Sequence, residues 1–331
     1  MSKPPLFVTG MHGMGDCLHQ RAIMRTLMRD NDVWLGSSWV SMYHDLIAQG
    51  LKVVKRPTPL RTQNKNATRE AALFSKEPVP VPCRKIAVSY SQQMFRTHGG
   101  VLQGMFGNLG LDYAGADFRL PIKPDWFAAI DRQIMMWRPK KPILVYRPLV
   151  IRKEFHYNGR NPDYAVYARL FEEIRDRFFV VSVADLQPNI EWIVGEKFMA
   201  DREFHRGELP FEHLAALFAR SSLVFASPGF SCVLAQATST PLVCVFGGFE
   251  NSKSFSAGAK FAPYCGIDVD NPCDCYQTSH KCDKTIDGDR ASLQLKEFMD
   301  GLFTYDTTSE VQPGTLELSE QQESADVFAA G

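Results

Sequence analysis

The feature that most narrows the fold is an alternation of short apolar runs with amphipathic stretches, repeated twice along the chain. Leu6-Phe7-Val8-Thr9 has the signature of a buried strand and stops at Gly10. A glycine-rich loop follows, and residues 17–29 carry Leu18, Ile23, Met24 and Leu27 at helical spacing. Asp16 stands where the N-cap of that helix belongs. Residues 33–35, 52–54 and 86–89 read as further strands and 40–47 as a second helix. Residues 56–69 read as a polar loop, and glycine-rich 97–115 takes no assigned element. After an amphipathic helix at 125–137, Arg138-Pro139-Lys140-Lys141-Pro142 has the composition of a linker. The pattern then restarts, with strands at 143–146, 178–183, 223–225 and 242–246. Helices are expected at 163–177, 190–198, 211–220, 230–237 and 291–303, the last crossing back to the first domain. Such alternation builds parallel sheets covered by helices. The 331 residues also exceed what one core usually serves. The expectation is an α/β chain of two Rossmann-like domains facing a cleft, residues 1–138 and 142–303.

Charge separates a body from a tail. Lys plus Arg and Asp plus Glu each number 37, which excludes a polybasic, histone-like protein. Residues 304–331 hold six of the acids and no Lys or Arg, leaving 37 cations against 31 acids in the body. The tail is therefore expected to be an acidic, disordered extension, and the mildly basic body suits an anionic ligand. No apolar run approaches the roughly 18 residues of a membrane span. The first residues lead into a strand without an apolar signal segment, so the expected compartment is the cytoplasm.

Three segments carry chemistry. Gly13-Met14-Gly15-Asp16 lies between a strand and a helix, where backbone amides attract anions and ligands bind at the carboxyl edge of a parallel sheet. A carboxylate there, Asp16, can take a proton from an attacking hydroxyl; the alternative is a plain helix cap. Arg147, Arg152 and Lys153 follow the first strand of the second half and are candidates to clamp a diphosphate. Ser227-Pro228-Gly229-Phe230-Ser231-Cys232 forms a small-residue turn before a helix, and Phe246-Gly247-Gly248 ends the next strand. His19, His98 and His156 are weaker candidates. Of the eight cysteines, Cys232 and Cys244 read as buried thiols. Cys273, Cys275, His280 and Cys282 have donor atoms for a metal, with Cys265 as a substitute. Their C-x-C and H-x-C spacings are tighter than usual, so a loop of reduced thiols without metal is the expected reading.

These segments together resemble glycosyltransferase family 9, the heptosyltransferases and their relatives. Gly13-Met14-Gly15-Asp16 matches the family's G-x-G-D, residues 227–232 occupy the place of its D-T-G-x-x-H turn, and Phe246-Gly247 its strand-ending F-G. The cysteine-rich segment is similar to one many members carry. Ser227 and Cys232 replace the family's Asp and His, and Lys153 and Arg160 are the two candidates for its phosphate-binding lysine. The resemblance implies the two-domain GT-B arrangement and inverting transfer of a sugar, heptose among the choices, from a nucleotide-diphosphate donor to a hydroxyl. Asp16 would be the base. Gly13, Gly15, Arg147, Arg152, Lys153, Ser227, Gly229, Phe230 and Ser231 would hold the donor, with no cofactor and no metal required. The basic residues Arg56, Arg61, Lys65, Arg69, Arg84 and Lys85 suit an anionic acceptor such as a lipopolysaccharide core sugar; a nucleic-acid base is the other option. Two alternatives share the scaffold: a nucleotide-sugar 2-epimerase and a non-catalytic nucleotide- or glycan-binding relative.

Overall fold

The computed structural model describes residues 3–304 except 59, 154–158, 274, 276, 278 and 279; His156 and the tail beyond 304 lie outside the described residues. The element order is β1 (Pro5–Thr9), α1 (Met14–Leu27), β2 (Asp32–Ser37), α2 (His44–Ile47), β3 (Lys52–Lys55), α3 (Arg61–Arg69), β4 (Arg84–Ala87), α4 (Gln92–His98), α5 (Val101–Asn108) and α6 (Pro124–Trp137). The second half runs β5 (Ile143–Tyr146), β6 (Val150–Arg152), α7 (Tyr164–Arg175), β7 (Phe179–Val183), β8 (Glu191–Ile193), β9 (Arg202–Phe204), α8 (Phe211–Arg220), β10 (Leu223–Ala226), α9 (Phe230–Ala237), β11 (Leu242–Val245), β12 (Tyr264–Ile267) and α10 (Gly288–Thr304).

Two parallel sheets form, in the orders β3-β2-β1-β4 and β12-β11-β10-β5-β7-β9. The central strands β5, β10 and β11 are buried at every position, as expected for parallel strands covered on both faces. Helices α1 and α9 pack against each other, and α6 packs on α8, so apolar contact joins the two halves. In the α6–α8 seam, Trp126 meets Phe211 edge-on at 6.3 Å, and Arg220 stacks 4.0 Å over Phe127 while pairing with Asp131. The wholly buried Arg21 on α1 makes a bidentate pair with Asp45 at 2.9 Å and donates to the carbonyls of Met42, Phe118 and Arg119. No helix among the described residues is long and apolar enough to cross a membrane.

The structure corrects several expectations. Asp16 is not the cap of α1: Gly13 takes that position and Asp16 sits in the first turn, where a carboxylate also favours the helix dipole. Residues 61–69 form a helix rather than a loop. Its buried face is polar, with Gln63 donating to the His12 carbonyl and Asn66 to that of Ser38, so it lacks an apolar stripe. Residues 190–198 are not a helix; β8 pairs antiparallel with β6, entered through Asn189 and left through Gly195, both at positive φ. Residues 40–47 break into a 3-10 turn and the short α2. Helix α10 does not cross back: Ala291, Leu295 and Met299 pack with α7 and β12.

Candidate active site

The two loops singled out in the sequence open onto one cleft of about 1080 Å³ at the carboxyl ends of β1, β4, β5 and β10. That edge is where parallel sheets leave amides and loops free to meet a ligand. The two turns touch: a β-carbon at Gly15 would lie 3.5 Å from the Phe230 α-carbon and 3.3 Å from a Val233 methyl. Among the lining residues Lys and Arg outnumber Asp and Glu by seven to four, which favours an anionic ligand.

Asp16 lies on the floor of this cleft. Tyr90, just beyond β4, donates its hydroxyl to Asp16 Oδ1 at 3.0 Å. Burial pushes the Asp16 carboxyl up to about 6, opposed by the Tyr90 hydrogen bond and the Arg160 cation, and assisted by Glu250. Arg160 faces the same floor and pairs with the buried Glu250 at 2.9 Å. It reaches the cleft because Gly247, at the end of β11, lets the 159–161 backbone pass where any β-carbon would collide. Sequence reasoning named Arg160 as one of two candidates for the phosphate-binding lysine and missed Tyr90 and Glu250. Both follow strand ends at the cleft edge, which was the available signal.

The remaining candidates divide by position. Ser227, Gly229, Phe230 and Ser231 line the cleft, as do Gly13 and Gly15. Gly229 has φ +140°, a conformation that keeps the amides at the start of α9 free and that only glycine adopts without strain. Cys232 is instead buried against Cys244 and offers nothing to the cleft. Arg147 lines the cleft and donates to the Val183 carbonyl at 3.0 Å; burial, with repulsion from Arg152, lowers it to about 10. It therefore remains cationic at neutral pH. Arg152 lines the cleft but is engaged with Glu191 at 3.1 Å, whereas Lys153 is exposed and outside the lining. His19 lines the cleft with both ring nitrogens unbonded among the described residues, and burial depresses it to about 3, so it is neutral. His98 is exposed on α4, outside the lining.

The basic residues expected to greet an acceptor mostly do something else. Arg61 pairs with Glu191 at 3.0 Å and with Asp185 at 3.5 Å. Lys65 pairs with Asp185 at 3.4 Å and donates to the Arg206 and Gly207 carbonyls, and Arg69 also donates to Gly207. Helix α3 is thus a latch onto the second half. Arg84 and Lys85 are exposed on β4, away from the cleft; Arg56 does line it.

The cysteine cluster converges despite its short spacings. One donor atom from each of Cys273, Cys275, His280 and Cys282 lies within 4.8 Å of all the others. The Cys275–Cys282 sulfurs are 3.5 Å apart, and His280 Nδ1 is 3.3 Å from Cys273 Sγ and 3.6 Å from Cys282 Sγ. A disulfide would need a sulfur separation of about 2.05 Å. The ligands of a tetrahedral ion with metal–sulfur bonds of about 2.3 Å stand about 3.5–3.8 Å apart; the three separations given lie close to that range and the other pairs within 4.8 Å. The Gln277 amide donates to Cys275 Sγ at 3.3 Å, as amides do to metal-bound thiolates. Burial and the neighbouring thiols push Cys282 up to about 12, a crowding that a cation relieves. Three thiols and an imidazole therefore fit a tetrahedral, sulfur-preferring metal. None of the four lines the cleft, and Cys265 lies elsewhere, on β12.

With this geometry in place, similarity to solved structures becomes informative. The chain is similar to the iron-containing dodecameric glycosyltransferase TibC of enterotoxigenic E. coli H10407, at 14% identity over 92% of this chain and 77% of that one, with a TM-score of 0.58. It is similar to a family 9 glycosyl transferase of Veillonella parvula DSM 2008, at 10% identity over 91% and 98% of the two chains, with a TM-score of 0.56. It is also similar to E. coli ADP-heptose LPS heptosyltransferase II, at 12% identity over 93% and 100%, with a TM-score of 0.52. The fold is thus the two-domain Rossmann-like GT-B architecture, and the likeness to glycosyltransferase family 9 read from the motifs reappears in it. No curated protein and no family profile matches the sequence.

Proposed function

We propose that this chain is a glycosyltransferase that moves a sugar from a nucleotide-diphosphate donor to a hydroxyl acceptor with inversion. The observation that carries the reading is the half-buried Asp16 carboxylate, raised to about 6, on the floor of a cationic cleft shared by both halves. At neutral pH it is mostly ionised yet basic enough to accept a proton. As the acceptor oxygen attacks the anomeric carbon, its proton passes to Asp16 and the bond to the diphosphate breaks. The leaving charge is met by Arg147 and by the free amides that follow Gly229. Arg160 is anchored by Glu250 beside Asp16 and belongs to this wall rather than to the acceptor. The solved neighbours include heptosyltransferase TibC in complex with ADP-D-beta-D-heptose, which supports a nucleotide-sugar donor, heptose included. An acceptor of moderate negative charge fits, because Arg56 and Arg69 line the cleft without an ion-pair partner among the described residues, Arg69 donating to the Gly207 carbonyl.

The four-residue cluster is read as a metal site, zinc or iron, a reading favoured by its geometry and by an iron-containing neighbour of the same fold. Bound there, the metal would close the loop at 273–282 and supply no chemistry at the reacting carbon, since its ligands lie outside the cleft lining.

Incubation of the protein with a panel of nucleotide sugars tests the reading. A transferase releases free nucleoside diphosphate, an epimerase changes the sugar, and a binding module does neither. Asp16→Asn should lower turnover by about a thousandfold while nucleotide affinity changes by less than about threefold. Unchanged turnover would remove Asp16 from the reaction.

A further inference from the structure

Lys284 was not singled out in the sequence, yet it lines the cleft from the second half, two residues beyond the ligand cluster. Its ammonium makes no hydrogen bond or close ion pair among the described residues, although the Asp163 carboxylate in the same lining attracts it, and its backbone amide donates to Asp283. Its backbone is fixed on both sides. Downstream, Thr285 accepts a hydrogen bond from the Asp270 amide at 2.8 Å, and Asp283 accepts from the Thr285 amide at 3.0 Å. Upstream, the anchor is Cys282, one of the four ligands. Cys282 is buried against Gly159, so closely that a β-carbon there would sit 3.0 Å from its sulfur, and it also abuts Gly248. Gly159 immediately precedes Arg160, whose guanidinium stands on the cleft floor with Glu250. One cysteine therefore borders two cleft cations, Lys284 through the chain and Arg160 through packing.

We propose that the metal-bound loop is the structural pin of the donor wall: Lys284 is a further phosphate-binding residue, and metal occupancy and nucleotide affinity are thermodynamically linked. The proposal rests on the donor reading above and extends it to a residue and a coupling. The reason is reach. Two residues span at most about 7 Å, so an upstream anchor at Cys282 leaves the Lys284 ammonium little freedom. Freed of the metal, the three thiols and the imidazole have no common partner, and the upstream half of the anchor rests on packing alone. Linkage makes the effect reciprocal: whatever the metal adds to nucleotide affinity, nucleotide adds to metal affinity.

The test uses the full chain, its metal measured by elemental analysis, before and after removal by a chelator. ADP, UDP, GDP and CDP are titrated into the loaded protein by calorimetry, and the tightest is the probe. Removal of the metal should weaken that probe by about tenfold while the far-ultraviolet circular dichroism stays native. Saturating probe should slow metal loss to the chelator by a comparable factor. Lys284→Gln should keep full metal content and bind the probe about fivefold to tenfold more weakly. Cys282→Ser should lose both metal and affinity; if it does not fold, chelated wild type and Lys284→Gln still decide the matter. Equal affinity with and without metal, or unaltered affinity in Lys284→Gln, overturns the proposal and leaves the donor reading standing. Protein that carries no metal even after exposure to Zn²⁺ or Fe²⁺ also overturns it. Failure of all four nucleotides to bind the loaded protein overturns the donor reading and the coupling together.

Discussion

Asp16 shows how far a single side chain is decided by its surroundings. A carboxylate in water titrates near 4; burial in the cleft raises this one to about 6, with Tyr90 and Arg160 holding it lower than burial alone would. In its proposed role as base, Asp16 works only when ionised. Activity, as kcat/KM, should therefore be low below pH 5 and rise to a plateau above about pH 7, with an inflection near 6. Tyr90→Phe removes a hydrogen bond made to the ionised form, so the carboxyl must move up and the inflection with it, by about one pH unit. A pH–rate profile that stays in place would detach Tyr90 from the base. Asp16 was legible because an acid after a strand–glycine turn lies at the ligand-binding edge of a parallel sheet. Tyr90 was not, because a tyrosine after an apolar run reads equally well as core. Cys232 was legible for a different reason: it stands where the resemblance places a histidine, but an uncharged thiol in an apolar setting reads as core, and there it is buried.

At the scale of elements, helix α3 and strand β8 are the informative misreadings, and they belong together. Helix α3 has no apolar stripe because it buries amides and presents cations to acids on the other half. Strand β8 is short, and what fixes it is Glu191, a buried carboxylate shared by Arg61 and Arg152. Hydrophobic periodicity carries no information about such partners, since both sides are polar and distant in sequence. The members of the latch are unequal. Glu191→Ala leaves two guanidinium groups without their shared acid, and breaking a buried pair from one side costs about 3 kcal/mol of stability. Lys65→Ala removes a partly exposed contact and should cost less than about 1 kcal/mol. Urea denaturation of the two variants checks the order, and a reversed ranking would show that Glu191 is not the keystone of the latch.

For the whole molecule, the alternation of strands and helices makes two sheets readable but leaves open how firmly the halves are joined. An apolar face on α6 says that the helix is buried, not that its cover is α8. In the structure a single buried apolar cluster runs from Leu6 to Ala257, taking in strands and helices of both halves. The α1–α9 contact at Gly15, the Trp126–Phe211 seam and the α3 latch are three separate contacts between the halves. Interfaces within a chain are commonly polar and permit domains to unfold separately. Here, exposing one half would strip the core of the other, so the cost of separating them is comparable with unfolding. Differential scanning calorimetry should therefore show one cooperative transition for the described body, with calorimetric and van't Hoff enthalpies in agreement. A nucleoside diphosphate bound between the halves should move that transition up as a unit, by about 2.7 kcal/mol of stabilisation at a hundredfold excess over Kd. Two resolved transitions, with only the later half shifted by nucleotide, would mean that the cleft belongs to one domain and that the shared core does not couple them.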